Sequence, residues 1–388
     1  MRFPFANFLR RAPATKASRT GALVALFETG RPRWTPRDYA AMAREGFAQN
    51  PIAYRAVRLI AESVAGLPRV LYQGARELDT HPLLDLLARP NPRQSGADLL
   101  EAVTGHLLIS GNAYLEAVLV AGKPRELYAL RPDRMKVVPG PEGWPEAYEY
   151  SVAGRSVRFL MHETPSPTGS GTPPPILHLT LFNPLDDHYG LSPFEAAASA
   201  IDVHNAAGGW NKALLDNAAR PSGALVYTAG GNLSEEQFER LKSELEAHYQ
   251  GSANAGRPLL LEGGLDWKAL SLSPNDMDFV EAKRTAAREI ALAFGVPPML
   301  LGIPGDNTYS NYQEANRSFY RSCVVPTALR IFAALAQWLA PSEGLRLAPD
   351  LDQVEALASE RESLWKRVNE ASFLSDDEKR EAVGYGVR

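Results

Sequence analysis

Ser192-Pro-Phe-Glu-Ala-Ala-Ala-Ser-Ala-Ile-Asp-Val-His-Asn-Ala-Ala-Gly-Gly-Trp-Asn-Lys-Ala-Leu-Leu-Asp-Asn-Ala-Ala-Arg-Pro221 reads as one long helix with a written start and stop. Ser192 is an N-cap residue, Pro193 suits the first helical position, and Glu195 stands where a capping box needs it. The helix should run to about Ala219, where Pro221 ends it. Gly208-Gly209 costs about 1 kcal/mol per glycine relative to alanine, which predicts either a kink or a closely packed neighbouring helix.

Downstream, a small strand–helix–strand–strand unit follows. Its parts are Ala224–Thr228, a helix opened by the capping box Ser234-Glu-Glu-Gln237, and a hairpin of Pro258–Glu262 and Leu265–Leu270 around Gly263-Gly264. A second helix begins near Asn275-Asp276, with Phe279, Ala282, Ala286, Ile290 and Ala293 on one face and Glu281, Lys283, Arg284 and Arg288 largely elsewhere. A unit inserted between two helices places those helices side by side. Gly295-Val-Pro-Pro298 terminates the second helix, and a Gly/Pro loop from Gly302 to Tyr309 follows. Ser310-Asn-Tyr-Gln313 should open a helix to about Leu339, kinked at Pro326. A charged helix, about Leu351–Glu370, and a short one opened by Ser375-Asp-Asp-Glu378 and closed at Gly384 complete the chain.

Upstream, Asn50-Pro51 caps a helix through Ile52, Val57, Ile60 and Val64 that Pro68 ends, and Ser95 with Asp98 opens another to the Gly111-Asn112 turn. Between about 68 and 182 strand signals dominate: Arg69–Gln73, Tyr114–Val120, Met135–Val138, Tyr148–Val152, Val157–Leu160 and Ile176–Leu181. Thr164 to Pro175 is a Pro/Ser/Gly/Thr tract expected to be an exposed loop. This half is an α+β body.

The 388 residues carry 41 basic and 45 acidic side chains, a net charge of -4, so a tight clamp on nucleic acid through many neutralised phosphates is disfavoured. The single cysteine, Cys323, excludes an intrachain disulfide and fits buried filler on an apolar helix. No unbroken apolar run approaches the roughly 18 residues of a membrane span, and the basic N-terminus reads as a flexible arm. No phosphate cradle, helical zinc motif or nucleophile elbow occurs. Asp186-Asp187-His188 is the best catalytic candidate, because paired carboxylates beside an imidazole suit a hard cation or acid–base work. A polar loop leading into a capped helix explains the same residues without chemistry. His178, inside an apolar strand, fits a packed core histidine.

The ordered motifs resemble the tailed-phage portal protein family of the long-tailed type. They run from Asn50-Pro-Ile-Ala-Tyr-Arg-Ala-Val-Arg-Leu-Ile-Ala-Glu-Ser-Val-Ala-Gly-Leu-Pro68 and His81-Pro-Leu-Leu-Asp-Leu-Leu87 with Pro90-Asn-Pro92, through Gly111-Asn-Ala-Tyr-Leu115 and Tyr189-Gly-Leu-Ser-Pro-Phe-Glu-Ala-Ala197. Ala219-Arg-Pro-Ser-Gly-Ala224, Leu233-Ser-Glu-Glu-Gln237, Ile290-Ala-Leu-Ala-Phe-Gly-Val-Pro-Pro298 and Thr308-Tyr-Ser-Asn311 follow in the family's order. The resemblance covers about residues 40 to 340. It implies a portal fold: a flexible arm (1–34), an α/β wing (35–190), a first stem helix (191–219), a small α/β clip (220–272) and a second stem helix (273–300). A tunnel loop (301–310), a kinked helix (311–344) and a short helical crown (345–388) complete it.

By the same resemblance the chain is no enzyme and needs no metal or cofactor. It would form a dodecameric ring at one capsid vertex of a phage, prophage or gene-transfer particle assembled in the bacterial cytoplasm. Implied partners are further copies of the chain, the major capsid protein, the terminase large subunit, the head–tail adaptor and double-stranded DNA held without sequence preference, with no membrane. Gly305, Asp306, Asn307, Thr308 and Tyr309 would face DNA. Glu281, Lys283, Arg284 and Arg288 are candidates for the channel lining, though such a charged face is usually just solvated. Glu235, Glu236, Glu239, Arg240 and Trp267 would dock motor and adaptor. Twelve helices spaced about 10 Å apart stand at a radius near 19 Å and leave a bore of roughly 28 Å, wide enough for a hydrated duplex. A purely structural connector or tail ring without a packaging role, and a metal-dependent hydrolase built on Asp186, Asp187 and His188, are the alternatives.

Overall fold

Asn50 starts the first long helix as its sequence demands, its Oδ1 accepting the N–H groups of Ile52 (3.1 Å) and Ala53 (3.0 Å). The computed structural model describes residues 34–36, 38–161, 173–216, 223–227, 234, 236–237, 239–240, 243, 265–269, 279–305, 308–341 and 343–385. The expected N-terminal arm, apart from Trp34, and the Thr164–Pro175 loop, apart from its last three residues, lie outside them.

Helix α1 (Tyr39–Ala41) continues into a π turn, Met42–Ala48. α2 (Pro51–Ala65) ends at Gly66, two residues before the proline expected to stop it. α3 (Pro82–Ala88) is short, and α4 (Gly96–Ser110) begins with a reciprocal box between Ser95 and Asp98. α2 and α4 pack together, burying Ala56, Ile60, Leu99, Val103 and Leu107. Removing such side chains from water is the main stabilising term, about 25 cal/mol per Å² of apolar surface.

Strands β1 (Arg69–Gln73), β2 (Arg76–Leu78), β3 (Asn112–Val120), β4 (Lys123–Leu130), β5 (Met135–Pro139), β6 (Pro145–Val152), β7 (Arg155–Leu160) and β8 (Ile176–Thr180) follow. They form antiparallel sheets in the orders β4-β3-β8 and β5-β6-β7, while β1 and β2 share a sheet with a late strand, β11 (Leu345–Pro349). Three of these strands depart from the sequence expectation, the short β2 among them. β4 carries Pro124 and three charges but pairs with β3 along its length, with one bulge at Val118/Leu119, and residues 345–349, expected among helices, are the edge strand beside β1.

The helix after Ser192 is also corrected. α5 (Pro193–Ala196) and α6 (Ala198–Asp216) are separated at Ala197, and Glu195 does not close a box. Ser192 Oγ accepts from Phe194 N (3.0 Å) and donates to the carbonyls of Leu108 and Ile109 at the end of α4. That fastens the beginning of the helix to the α4–β3 turn. α6 then passes through Gly208 and Gly209 without interruption, and a Cβ on Gly209 would meet nothing within 4 Å, so neither a break nor tight packing explains the second glycine.

The same turn holds a buried polar hub. Asn112 Oδ1 accepts from Gly190 N (2.8 Å) and His178 Nε2 (3.0 Å), and Leu181 N donates to the Gly111 carbonyl (2.8 Å). Gly111 has a φ of 73°, and a Cβ on Gly190 would collide with the Gly111 carbonyl and the Leu181 backbone. The Gly-Asn and Tyr-Gly motifs are therefore two halves of one backbone crossing.

Beyond β9 (Gly223–Tyr227) and β10 (Leu265–Ala269), which pair antiparallel, come α7 (Phe279–Ala293) and a 3₁₀ turn at Pro298–Leu301. α8 (Tyr309–Phe319), a π turn (Tyr320–Val324) and α9 (Val325–Leu339) make one helical run. Thr308, not Ser310, caps it, accepting from Asn311 N. Pro326 lies just after the π turn, whose widened hydrogen bonding leaves room for a ring that would kink a regular helix. By length and composition the 31-residue run would suffice to cross a membrane, which a search for unbroken apolar stretches passes over. Its apolar side instead enters the core through Ala328, Ile331, Phe332, Leu335 and Leu339. α10 (Ala358–Glu370) and α11 (Asp376–Ala382), the latter opened by the box of Ser375 and Glu378, follow β11.

Candidate functional site

α6 and α7 pack side by side. Phe194 and Phe294 meet edge to face at 5.1 Å near one end, and Gly208 lies by Lys283 further along, so the two run antiparallel. The contact is built from small residues, with Ala200, Ala207, Ala286, Ala287 and Ala291 buried, which lets helix axes approach closely.

Ile290 and Ala286 are buried as the periodicity predicts, but Ala282 is exposed. Lys283 is the corresponding surprise: it is half-buried and turned toward α6, where its charge, second to burial, lowers the pKa of His204. Glu281, Arg284 and Arg288 remain on the outward stripe, which ends in Leu292, 79% exposed. Glu281 and Arg284 pair loosely at 3.9 Å, a surface contact worth little in water.

Arg288 is engaged differently. Its Nη2 donates to the Pro304 carbonyl at 2.7 Å, and a Cβ on Gly305 would stand 3.7 Å from the same nitrogen. The structure thus brings Arg288 and Gly305 together. Gly302 turns the chain in the left-handed region (φ 71°), Ile303 is buried, and Thr308 caps α8 beyond. Tyr309 is exposed and its hydroxyl accepts from Gln313 Nε2. Asp306 and Asn307 lie outside the described residues. Past the loop opens a groove of 920 Å³, lined among others by Glu62, Glu314, Glu355, Tyr309, Tyr312 and a single arginine, Arg317. Its carboxylates disfavour phosphate there.

In the unit between the helices, Ser234 and Gln237 form the expected reciprocal box, with Ser234 N donating to Gln237 Oε1 at 3.0 Å and Gln237 N to Ser234 Oγ at 3.2 Å. Glu236, Glu239 and Arg240 are exposed. Trp267 stands opposite Leu225 in the β9–β10 register, while Glu235 and the hairpin turn at Gly263-Gly264 lie outside the described residues.

Asp186 Oδ1 accepts from the N–H groups of His188 (2.7 Å) and Tyr189 (2.9 Å), which hold its carboxyl below the usual range. That is the chemistry of a loop turn. Among the described residues no group of three potential ligands could hold a metal ion. His178 stacks on Tyr114 at 4.2 Å, and burial pushes its pKa down to about 3. Burial also pushes the Cys323 thiol up to about 11, away from nucleophilic use at neutral pH. Sequence reasoning missed two features: the hub around Asn112, whose signal was the paired Gly motifs, and the Pro304 carbonyl, which no side-chain pattern announces.

Comparison with known proteins supplies the remaining findings. The phage portal protein family model matches residues 51–384. An uncharacterised protein of Rickettsia bellii is 41% identical over 345 residues, covering 88% of each chain. The probable portal protein of Streptomyces phage phiC31 is 29% identical over 379 residues, covering 90% of this chain and 80% of its own. Among solved structures, a chain from the neck of a native gene transfer agent particle, computed with C12 symmetry, is 56% identical with a TM-score of 0.68, over 92% of this chain and 96% of that one.

Proposed function

This chain belongs to the phage portal protein family, and from that premise we propose that twelve copies close a ring whose bore passes double-stranded DNA during packaging and release. The protein is a head–tail connector of a phage-like particle, at the portal vertex. One observation carries the finer reading: 56% identity, over nearly the whole of both chains, to a subunit of a particle neck with twelvefold symmetry.

In this reading residues 35–190 are the wing, α6 and α7 the stem, 220–272 the clip, 301–310 the tunnel loop, 311–344 the kinked helix, and 345–388 the crown. β11 joins that last segment to the wing. The clip would present Glu236, Glu239 and Arg240 to the terminase large subunit and later to the head–tail adaptor, and the wing would meet the major capsid protein. Glu281 and Arg284 would line the bore with Gly305, Thr308 and Tyr309 nearby, while Lys283 is given to the α6 contact. A lining of mixed sign suits passage, because a cationic bore would hold phosphates and arrest the duplex. The reading assigns the chain no catalytic role of its own, and the motor partner supplies the work.

The test is direct imaging of the purified full-length protein by negative stain. Rings of twelve with a bore of about 28 Å are expected. A population of compact monomers at every concentration would overturn the proposal. A ring that never binds the packaging ATPase through 220–272 would favour a structural connector without a packaging role.

A further inference from the structure

We infer that Arg288 is a positioning residue that fixes the pose of Gly302–Gly305, and is not a free cation awaiting phosphate. The inference rests on the portal reading only in so far as that loop is the one turned toward DNA.

Arg288 stands on the outward stripe of α7, where a solvated side chain would ordinarily wander. Instead its Nη2 reaches sixteen residues along the chain to the Pro304 carbonyl at 2.7 Å, the length of a strong charge-assisted bond. Among the described residues, no backbone–backbone hydrogen bond is made by Pro304 or Gly305. On one side, Gly302 turns left-handed, Ile303 is 4% exposed, and Ile303 N donates to the Pro298 carbonyl at 3.1 Å. On the other, Thr308 caps α8. Among the described residues, no other side chain hydrogen-bonds to Pro304 or Gly305. A methyl group on Gly305 would sit at ordinary contact distance, 3.7 Å from Nη2, so the guanidinium lies against the loop backbone without needing a glycine there.

Two consequences separate this role from that of a phosphate contact. A guanidinium with one arm committed to a carbonyl holds a direction as well as a charge, so lysine is an incomplete replacement. Because Pro304 is tied to α7, a rotation of that helix would carry the loop with it.

The experiment is hydrogen exchange at the Ile303 amide, which is bonded to the Pro298 carbonyl, in full-length assembled protein, comparing the natural chain with Arg288→Ala and Arg288→Lys. Arg288 is exposed, so both variants should assemble with unchanged ring yield. Arg288→Ala should exchange about tenfold faster at this amide, and Arg288→Lys should fall between the two. Exchange unchanged in Arg288→Ala, or restored fully by lysine, would overturn the inference. DNA delivery by particles carrying Arg288→Ala is the separate readout. Faster exchange with undiminished delivery would leave the anchor standing and remove the DNA-facing reading of the loop.

Discussion

The crossing of Gly111 and Gly190 and the outward stripe of α7 are built on opposite terms. At the crossing, Asn112 Oδ1 accepts from His178 and from the Gly190 backbone, and Ser192 donates to the Leu108 and Ile109 carbonyls, with Asn112 and Ser192 almost wholly buried. Along the stripe, Glu281, Arg284 and Arg288 stand in solvent, and one bond of Arg288 to Pro304 does the holding. A buried hydrogen bond left without its partner costs the full desolvation of the remaining group, whereas an exposed one is replaced by water. The crossing can therefore fix where the paired helices leave the body, while the stripe can rearrange at small cost. Under the proposed reading, a connector that must hold its place and let a long polymer slide past needs both.

The contrast can be broken most forcefully at Gly190. Gly190→Ala forces a methyl into the Gly111 carbonyl and the Leu181 backbone, none of which is a flexible side chain. A loss of about 4 kcal/mol or more is expected, read as collapse of soluble yield or of the thermal unfolding midpoint. A variant that melts with the natural protein would mean that the crossing is not rigid.

Acid should come next. His178 is held down to about 3 by burial and by the charge of His188, and His106 to about 4 by burial and Arg131. Both ionise near 6.5 when unfolded, so the unfolded chain binds protons first and stability falls as the pH drops from 6.5 toward 4. Each contributes a loss of about 1.5 kcal/mol at pH 5.5. Denaturant midpoints measured from pH 7 to pH 4.5 should decline through that window; a flat profile contradicts the burial of the two rings.

The smallest effect belongs to the stripe. Arg284→Ala removes a partner of Glu281 in a pair about 60% exposed and should change stability by no more than about 0.5 kcal/mol. Its effect should lie in the salt dependence of DNA passage through assembled particles. A large fall in melting temperature would show that this face is packed in the free subunit.

What could be read from the sequence followed the range of the forces concerned. Asn50, Ser95, Ser234 and Ser375 satisfy backbone groups within three residues, so their helix starts were legible without the fold. Ser192 caps its helix as its sequence predicts, but the expected box with Glu195 is absent, because the hydroxyl also reaches Leu108, 84 residues away. β4 was missed for a similar reason: β3 recruits it despite Pro124 and its charges, and burial of Leu127 and Leu130 overrides local propensity. On α7 the apolar period was right, but alanine and lysine are nearly indifferent to water at the edge of a stripe. Helix packing alone decided that Ala282 would face out and Lys283 would turn in. The loop's anchor was illegible because its acceptor is a main-chain carbonyl, which every residue carries.

The π turn at Tyr320–Val324 fixes how the two halves of its long helix may evolve. The stretch holds one residue more than a straight α-helix of the same span would use, and the wide turn takes up the surplus. A single deletion there could leave the loop-bearing half and the core-bearing half facing as they do now. A same-length change that restored regular winding would instead swing one half about 100° against the other.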